Sequence, residues 1–137
     1  MTSTIEYKGK LSTLCTHIES GNQIVTDAPK DNHGNGEAFS PTDLTATSLG
    51  ACMLSIIGIK AKEMGIDLIH TKADITKVMY AEPRRIGEIH VKIYFPKIDA
   101  FKEQKNKDIF ERVAMKCPVY YSLHPDIIKK VEFIYLS

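Results

Sequence analysis

Two cysteines are the residues of this chain best suited to chemistry. Cys52 lies within an apolar helical segment, and Cys117 stands directly before Pro118 at the end of a later helical segment. A pair of thiols can pass through a sulfenic acid and a disulfide, which is the chemistry of redox catalysis and redox sensing. The two positions are 65 residues apart in the sequence. A disulfide needs Cα atoms about 4.4–6.8 Å apart, so the sequence permits their contact without requiring it.

Each cysteine also has a purely structural interpretation. A free cysteine packs like a small hydrophobic residue, so Cys52 alone could belong to a core. Pro118 disfavours continuation of a helix through Cys117, which could simply mark a helix end. Alternatively, Cys117 is the N-cap of a new turn over 118–122, where unpaired N–H groups would lower the pKa of its thiol. Cys15 lies in a strand-like segment and is interpreted as packing.

Polar residues near Cys52 are candidate supporting groups. Asp43 lies nine residues before Cys52, too far along a helix for contact, and a Ser-x-x-Asp pattern with Ser40 favours a capping role for it. Ser48 shares the helical face of Cys52, and its hydroxyl could bond a thiolate or sulfenate, or more commonly a backbone carbonyl. The five histidines show no metal-ligand spacing. No Cys-x-x-Cys motif or glycine-rich phosphate loop is present, so no metal site is predicted.

The order of the predicted elements indicates an α+β fold with an antiparallel sheet. The helix that carries Cys52 should begin at Ser40-Pro41, run to about Met64 and stop at Gly65. It is small or apolar on every side, which predicts a buried central helix that a partner subunit helps to cover. The other predictions are strands within 3–27, a polar loop over 28–39, strands over 68–80 and 86–95, a helix over 101–116 and a strand over 131–136.

Length and charge narrow the function classes. The 137 residues fit one domain over 1–137, and 18 basic against 17 acidic residues give a net charge of +1. That balance argues against a nucleic-acid or anionic-membrane partner. The most apolar run, 53–59, is far shorter than the roughly 20 residues that cross a bilayer. With three cysteines and no apolar signal segment, a soluble cytoplasmic protein is expected.

The motifs around the two cysteines resemble those of a known family. They are Ser40-Pro41-x-Asp43-Leu44 with Leu49-Gly50-Ala51-Cys52, and Cys117-Pro118-Val119 with Ser122-Leu123. Together with the element order, they are similar to the OsmC/Ohr family of osmotically inducible and organic-hydroperoxide-resistance proteins, over nearly the whole chain. The resemblance implies an OsmC-like fold and an interwoven homodimer in which sheets wrap two central helices. It also implies an antioxidant role in stress response, without a metal or organic cofactor.

The resemblance implies a specific thiol cycle. Cys52 would match the peroxidatic cysteine, whose thiolate attacks a peroxide and becomes a sulfenic acid. Cys117 would match the resolving cysteine, which condenses with the sulfenate to form a disulfide. The substrates implied are organic hydroperoxides, with H2O2 as a further candidate. A dithiol or dithiol protein would then reset the enzyme.

The chain departs from well-characterised members at the group that holds the thiolate. Those members use an arginine of the N-terminal region, paired with a glutamate just after the helix-start proline. Here residues 1–83 contain no arginine, Thr42 takes the glutamate's place and the acid is Asp43, which is similar to a less-characterised OsmC-like branch. Lys30 or Lys8 could replace the arginine. The departure motivates an alternative function, a non-enzymatic or redox-sensing protein that binds a small ligand at the dimer interface.

Overall fold

The computed structural model describes every residue, Met1–Ser137, and confirms the α+β class. The chain forms two compact units, Met1–Thr45 and Ala46–Ser137, and the single domain predicted over 1–137 stays a prediction. Two short 3-10 helices cover Lys30–Asn32 and Asp99–Lys102. The main elements are β1 (Ser3–Gly9), β2 (Ser12–His17), β3 (Gln23–Asp27), α1 (Pro41–Met64), β4 (Lys72–Tyr80), β5 (Arg85–Phe95), α2 (Gln104–Ala114), α3 (Pro118–Ser122) and β6 (Ile128–Tyr135).

The first unit is a three-stranded antiparallel sheet followed by the polar loop. Its strands lie in the order β1-β2-β3. The buried Asp27 at the end of β3 anchors the loop, because its carboxylate accepts a hydrogen bond from the Glu37 backbone N–H at 3.0 Å. Within this chain the sheet leaves large apolar side chains exposed, including Ile5 at 68 % and Tyr7 at 64 %.

Helix α1 begins and ends where the sequence predicts. The Ser40 hydroxyl accepts the Asp43 N–H and the Asp43 carboxylate accepts the Ser40 N–H, both at 3.0 Å, which is a reciprocal capping box. Pro41 fits the first helical position because its missing N–H has no partner there anyway. Gly65 follows the helix with φ of +67°, a left-handed conformation that glycine adopts without strain.

The second unit packs one face of α1 against the sheet β4-β5-β6. Strand β5 alternates, so that Ile89, Val91, Ile93 and Phe95 are buried. The prediction of a wholly antiparallel sheet was wrong for one pair, since β5 and β6 run parallel, with Glu88 opposite Ile128. The reason is the crossover through α2 and α3, which returns the chain to the starting end of β5.

Two polar groupings tie the second unit together. The Glu88 carboxylate accepts hydrogen bonds from Tyr80 Oη at 2.8 Å and Lys130 Nζ at 3.2 Å, and pairs with His90 Nε2 at 2.8 Å, linking all three strands. The Tyr135 hydroxyl donates to the Glu111 carboxylate at 2.7 Å, which joins β6 to α2. Aromatic rings of Phe95, Phe101, Phe110 and Tyr135 pack beside that contact.

Only one side of α1 is buried within a single chain. One three-stranded sheet covers one helical face, as expected from the sequence, and cover of the other faces by a partner subunit stays a prediction. The buried residues are Ala46, Leu49, Gly50, Met53, Ile57 and Ala61, while Ala51, Ser55, Gly58 and Ile59 are exposed. By length and composition α1 could also cross a membrane, but the core helix of a soluble protein meets the same description, so this is weak evidence for a span.

Candidate thiol active site

The structure brings Cys52 and Cys117 together. The Cys52 thiol lies next to the Cys117 thiol within the second unit, and neither cysteine is in a disulfide. The sequence permitted this contact without requiring it, so the contact is new information from the structure. Two adjacent reduced thiols can form one intramolecular disulfide.

Cys117 is placed by the junction between α2 and α3. The amphipathic α2 buries Phe110 and Ala114, and the chain then turns so that Cys117 joins the same buried cluster with 0 % of its surface exposed. Pro118 starts α3 and Cys117 is its N-cap, with its Sγ accepting the Tyr120 N–H at 3.3 Å. This confirms the predicted capping position and shows that the segment is more than a helix end.

The predicted lowering of the Cys117 pKa was wrong. Burial raises the pKa of the Cys117 thiol, the Tyr120 N–H opposes that shift, the neighbouring Cys52 sulfur raises the pKa further, and the Val119 N–H again opposes it. The net direction is upward, because desolvation of a buried thiolate outweighs hydrogen bonds from the first turn of α3. Burial therefore favours the protonated form of Cys117.

Cys52 lies at the border between the buried and exposed faces of α1. It is half-buried and packs on the core cluster, while its neighbours Met53 and Ala51 are buried and exposed respectively. Two residues earlier, Gly50 lets α1 approach β4 closely, since a Cβ at that position would lie 2.5 Å from Ile75 Cδ1. The absence of a side chain at Gly50 thus sets how closely the helical turn that carries Cys52 packs on the sheet. Sequence reasoning had noted only that this helix is small or apolar on every side.

Other polar residues of α1 make side-chain hydrogen bonds within the helix or lie near Cys52. Asp43 belongs to the capping box at the start of α1, and Ser48 is half-buried one turn before Cys52. The Thr45 hydroxyl donates to the Pro41 carbonyl at 3.1 Å and the Ser55 hydroxyl to the Ala51 carbonyl at 2.9 Å. These two hydroxyls satisfy the backbone, which is the commoner role of such residues in a helix.

The contacts of Lys8 and Lys30 do not identify either lysine as the substitute for the family arginine. Lys8 on β1 forms an ion pair with Glu6 at 2.7 Å. The Lys30 side chain lies beside Gly36 in the loop. Replacement of the arginine by either residue stays a prediction. The Tyr120 N–H is one of the unpaired amides that the sequence predicts at the start of α3, and the structure identifies it by residue.

Comparison with known proteins identifies the family. The family model for OsmC-like protein matches residues 34–132. The chain belongs to the OsmC-like family. A solved structure from Psychrobacter arcticus 273-4, described as an osmotic stress induced and detoxification response protein, is 53% identical to this OsmC-like chain. The match covers 97% of this chain and 95% of that chain, with a TM-score of 0.91. No curated protein matches.

More distant structures share the fold of this OsmC-like chain. An OsmC organic hydroperoxide resistance protein from Legionella pneumophila has a TM-score of 0.74 at 17% identity, covering 98% of this chain and 97% of that chain. The organic hydroperoxide resistance protein OhrB of Bacillus subtilis has a TM-score of 0.69 at 15% identity, covering 97% and 98% respectively. At these identities the likeness concerns the fold alone, and the OsmC-like fold is confirmed.

Proposed function

We propose that this OsmC-like protein is a thiol peroxidase that reduces organic hydroperoxides through Cys52 and Cys117. The observation that carries the proposal is the contact of the two reduced thiols, one half-buried and one fully buried. The naming of relatives from Legionella pneumophila and Bacillus subtilis as organic hydroperoxide resistance proteins supports the choice of substrate. Cys52 is the thiol that solvent can reach, so it takes the peroxidatic role.

The reaction balances with these two sulfurs and an external dithiol. The Cys52 thiolate attacks one oxygen of the hydroperoxide, the O–O bond breaks, and an alcohol leaves after it takes up a proton. Cys52 is then a sulfenic acid. The Cys117 thiol attacks that sulfur, and its proton and the departing hydroxide form water as the disulfide closes. A dithiol returns two electrons and is itself oxidised to a disulfide.

The test is stopped-flow consumption of cumene hydroperoxide by the reduced protein. Rapid turnover is expected in the wild type and in Cys15→Ser, which removes the thiol outside the pair. Turnover should disappear in Cys52→Ser, and a sulfenic acid should be trapped in Cys117→Ser. Serine is a preferred N-cap residue, so Cys117→Ser keeps the first turn of α3. A wild type no faster than a free thiol would refute the peroxidase.

A homodimer is part of the same proposal. The exposed face of α1 is made of small and apolar residues, among them Ala51, Gly58 and Ile59, which would permit close packing of a second helix. The apolar side chains exposed on the N-terminal sheet offer a second surface to cover. Light scattering should give about twice 15.4 kDa, and Ala51→Arg should lower that mass. A wild type that remains monomeric at micromolar concentration would contradict the dimer.

A further inference from the structure

The proposed cycle leaves open which sulfur of the Cys52–Cys117 disulfide the reductant attacks. In thiol–disulfide exchange the outcome depends on which sulfur the attacking thiolate can reach and on how well the other sulfur leaves. The two sulfurs of this pair differ in access. The following inference rests on the proposed function, and concerns its reductive half.

The two sulfurs differ in how easily an attacking thiolate can reach them. Cys117 has 0 % exposed surface and belongs to the buried cluster that includes Phe110 and Ala114. An attacking thiolate must approach along the extension of the S–S bond, and for Cys117 protein atoms occupy its surroundings. Cys52 is half-buried. The proposed function already requires that a hydroperoxide reach Cys52, and the burial of Cys117 arises within its own chain.

The hydrogen bonds of Cys117 concern the departure of its sulfur. When the disulfide breaks, one sulfur departs with the electron pair. The Tyr120 N–H donates to Cys117 Sγ at 3.3 Å, and the Val119 N–H also bonds that sulfur. These two bonds only partly offset the desolvation that raises the pKa of Cys117, so they do not make Cys117 the better leaving group, and access decides which sulfur is attacked.

We infer that the reductant bonds covalently to the sulfur of Cys52 and that Cys117 is the leaving group. The first thiolate of a dithiol attacks Cys52 Sγ, the Cys52–Cys117 bond breaks, and the electron pair goes to Cys117, which takes up a proton. The second thiol of the dithiol loses its proton and attacks the dithiol sulfur of the mixed disulfide. This closes the disulfide of the dithiol and releases the Cys52 thiolate. Cys52 thus meets both oxidant and reductant.

A monothiol probe reveals the attacked sulfur, because it cannot complete the second step. Folded Cys15→Ser protein is oxidised with diamide, exposed briefly to 2-mercaptoethanol, acidified and blocked with N-ethylmaleimide. Trypsin cuts after Lys60 and Lys116, which puts the two cysteines on separate peptides for mass spectrometry. At early times we expect at least about tenfold more probe on Cys52, with the maleimide on Cys117. Probe on Cys117, or equal labelling, would overturn the inference.

Two comparisons keep this result separate from the peroxidase proposal. Diamide forms the disulfide without a hydroperoxide, so Cys52 labelling in a protein inert to cumene hydroperoxide supports the inference while the peroxidase fails. Probe on Cys117 in a protein that reduces cumene hydroperoxide would support the peroxidase and overturn the inference. If neither diamide nor cumene hydroperoxide produces the Cys52–Cys117 disulfide, both the inference and the peroxidase proposal are refuted. In urea the labelling preference should vanish, because it arises from the burial of Cys117, and a preference that persists there would refute this reasoning.

Discussion

Gly50 offers a sharp test of how α1 sits on the sheet. It lies two residues before Cys52, buried against β4. A Cβ at this position would be 2.5 Å from Ile75 Cδ1, 3.3 Å from Ile75 Cγ1 and 3.9 Å from Ala73 Cβ. The first of these distances is too short for two carbon atoms. In Gly50→Ala, therefore, either the end of the Ile75 side chain rotates away or α1 moves off the sheet.

The expected change in the free energy of unfolding combines two opposing effects. Alanine is favoured over glycine within a helix by about 1 kcal/mol. An extra methyl group in a packed core is unfavourable by about 1–3 kcal/mol. The clashing atom is the flexible end of a side chain, so we expect Gly50→Ala to destabilise the protein by about 0–2 kcal/mol.

A second substitution isolates the clash. Ile75→Val removes Cδ1 and alone should destabilise by about 0.5–1.5 kcal/mol. In the double variant the alanine no longer meets Cδ1, so only the favourable helix propensity of alanine remains. The double variant should therefore be more stable than the sum of the two single changes by about 1–3 kcal/mol. Urea unfolding followed by circular dichroism at equal protein concentration measures all four proteins. Additive effects would refute the packing argument, because they would mean that Gly50 and Ile75 do not touch.

Three further predictions concern the cap and the two polar groupings. Ser40→Ala should lower the free energy of unfolding by about 1 kcal/mol in urea titrations, because Asp43 loses its hydroxyl acceptor. Hydrogen bonds, chiefly from His90, lower the pKa of Glu88 from 4.5 to about 2. Its ionised form therefore stabilises the fold above pH 4.5, and this stability is lost as the pH falls towards 2, a loss that Glu88→Gln should lessen in pH-dependent urea midpoints. Tyr135→Phe should destabilise by about 0.5–1.5 kcal/mol through the lost bond to Glu111, whereas Tyr121→Phe on the surface should be neutral.

Local signals in the sequence were enough for the elements that carry the site. Ser40, Pro41 and Gly65 fix the ends of α1, because capping and left-handed backbone depend on residues within one turn. Pro118 made the N-cap position of Cys117 one of two alternatives, the other being a simple helix end, and the structure selects the N-cap. The helix predicted over 101–116 is a 3-10 turn followed by α2, and the strand predicted over 68–80 begins only at Lys72.

Long-range properties were not readable from the sequence. The contact of Cys52 with Cys117 depends on how α2 and α3 return over the core, which no local pattern encodes. The direction of the Cys117 pKa shift was also missed, because the helix terminus is visible in the sequence whereas the depth of burial is not. The parallel pairing of β6 has the same origin, since it is decided by the crossover rather than by the residues of the strand.

The parallel pairing of β5 with β6 has a consequence for how the protein is made. Glu88 pairs with Ile128 and Phe95 with Tyr135, so each contact spans 40 residues of chain. During synthesis α1 leaves the ribosome before the strands β4, β5 and β6 that line the second unit. This apolar helix can pack on β4 once that strand has emerged, but its cover by the sheet is complete only when residue 135 has left the ribosome. The second unit therefore completes its folding late. On the nascent chain, α1 is an apolar segment of the kind that chaperones shield.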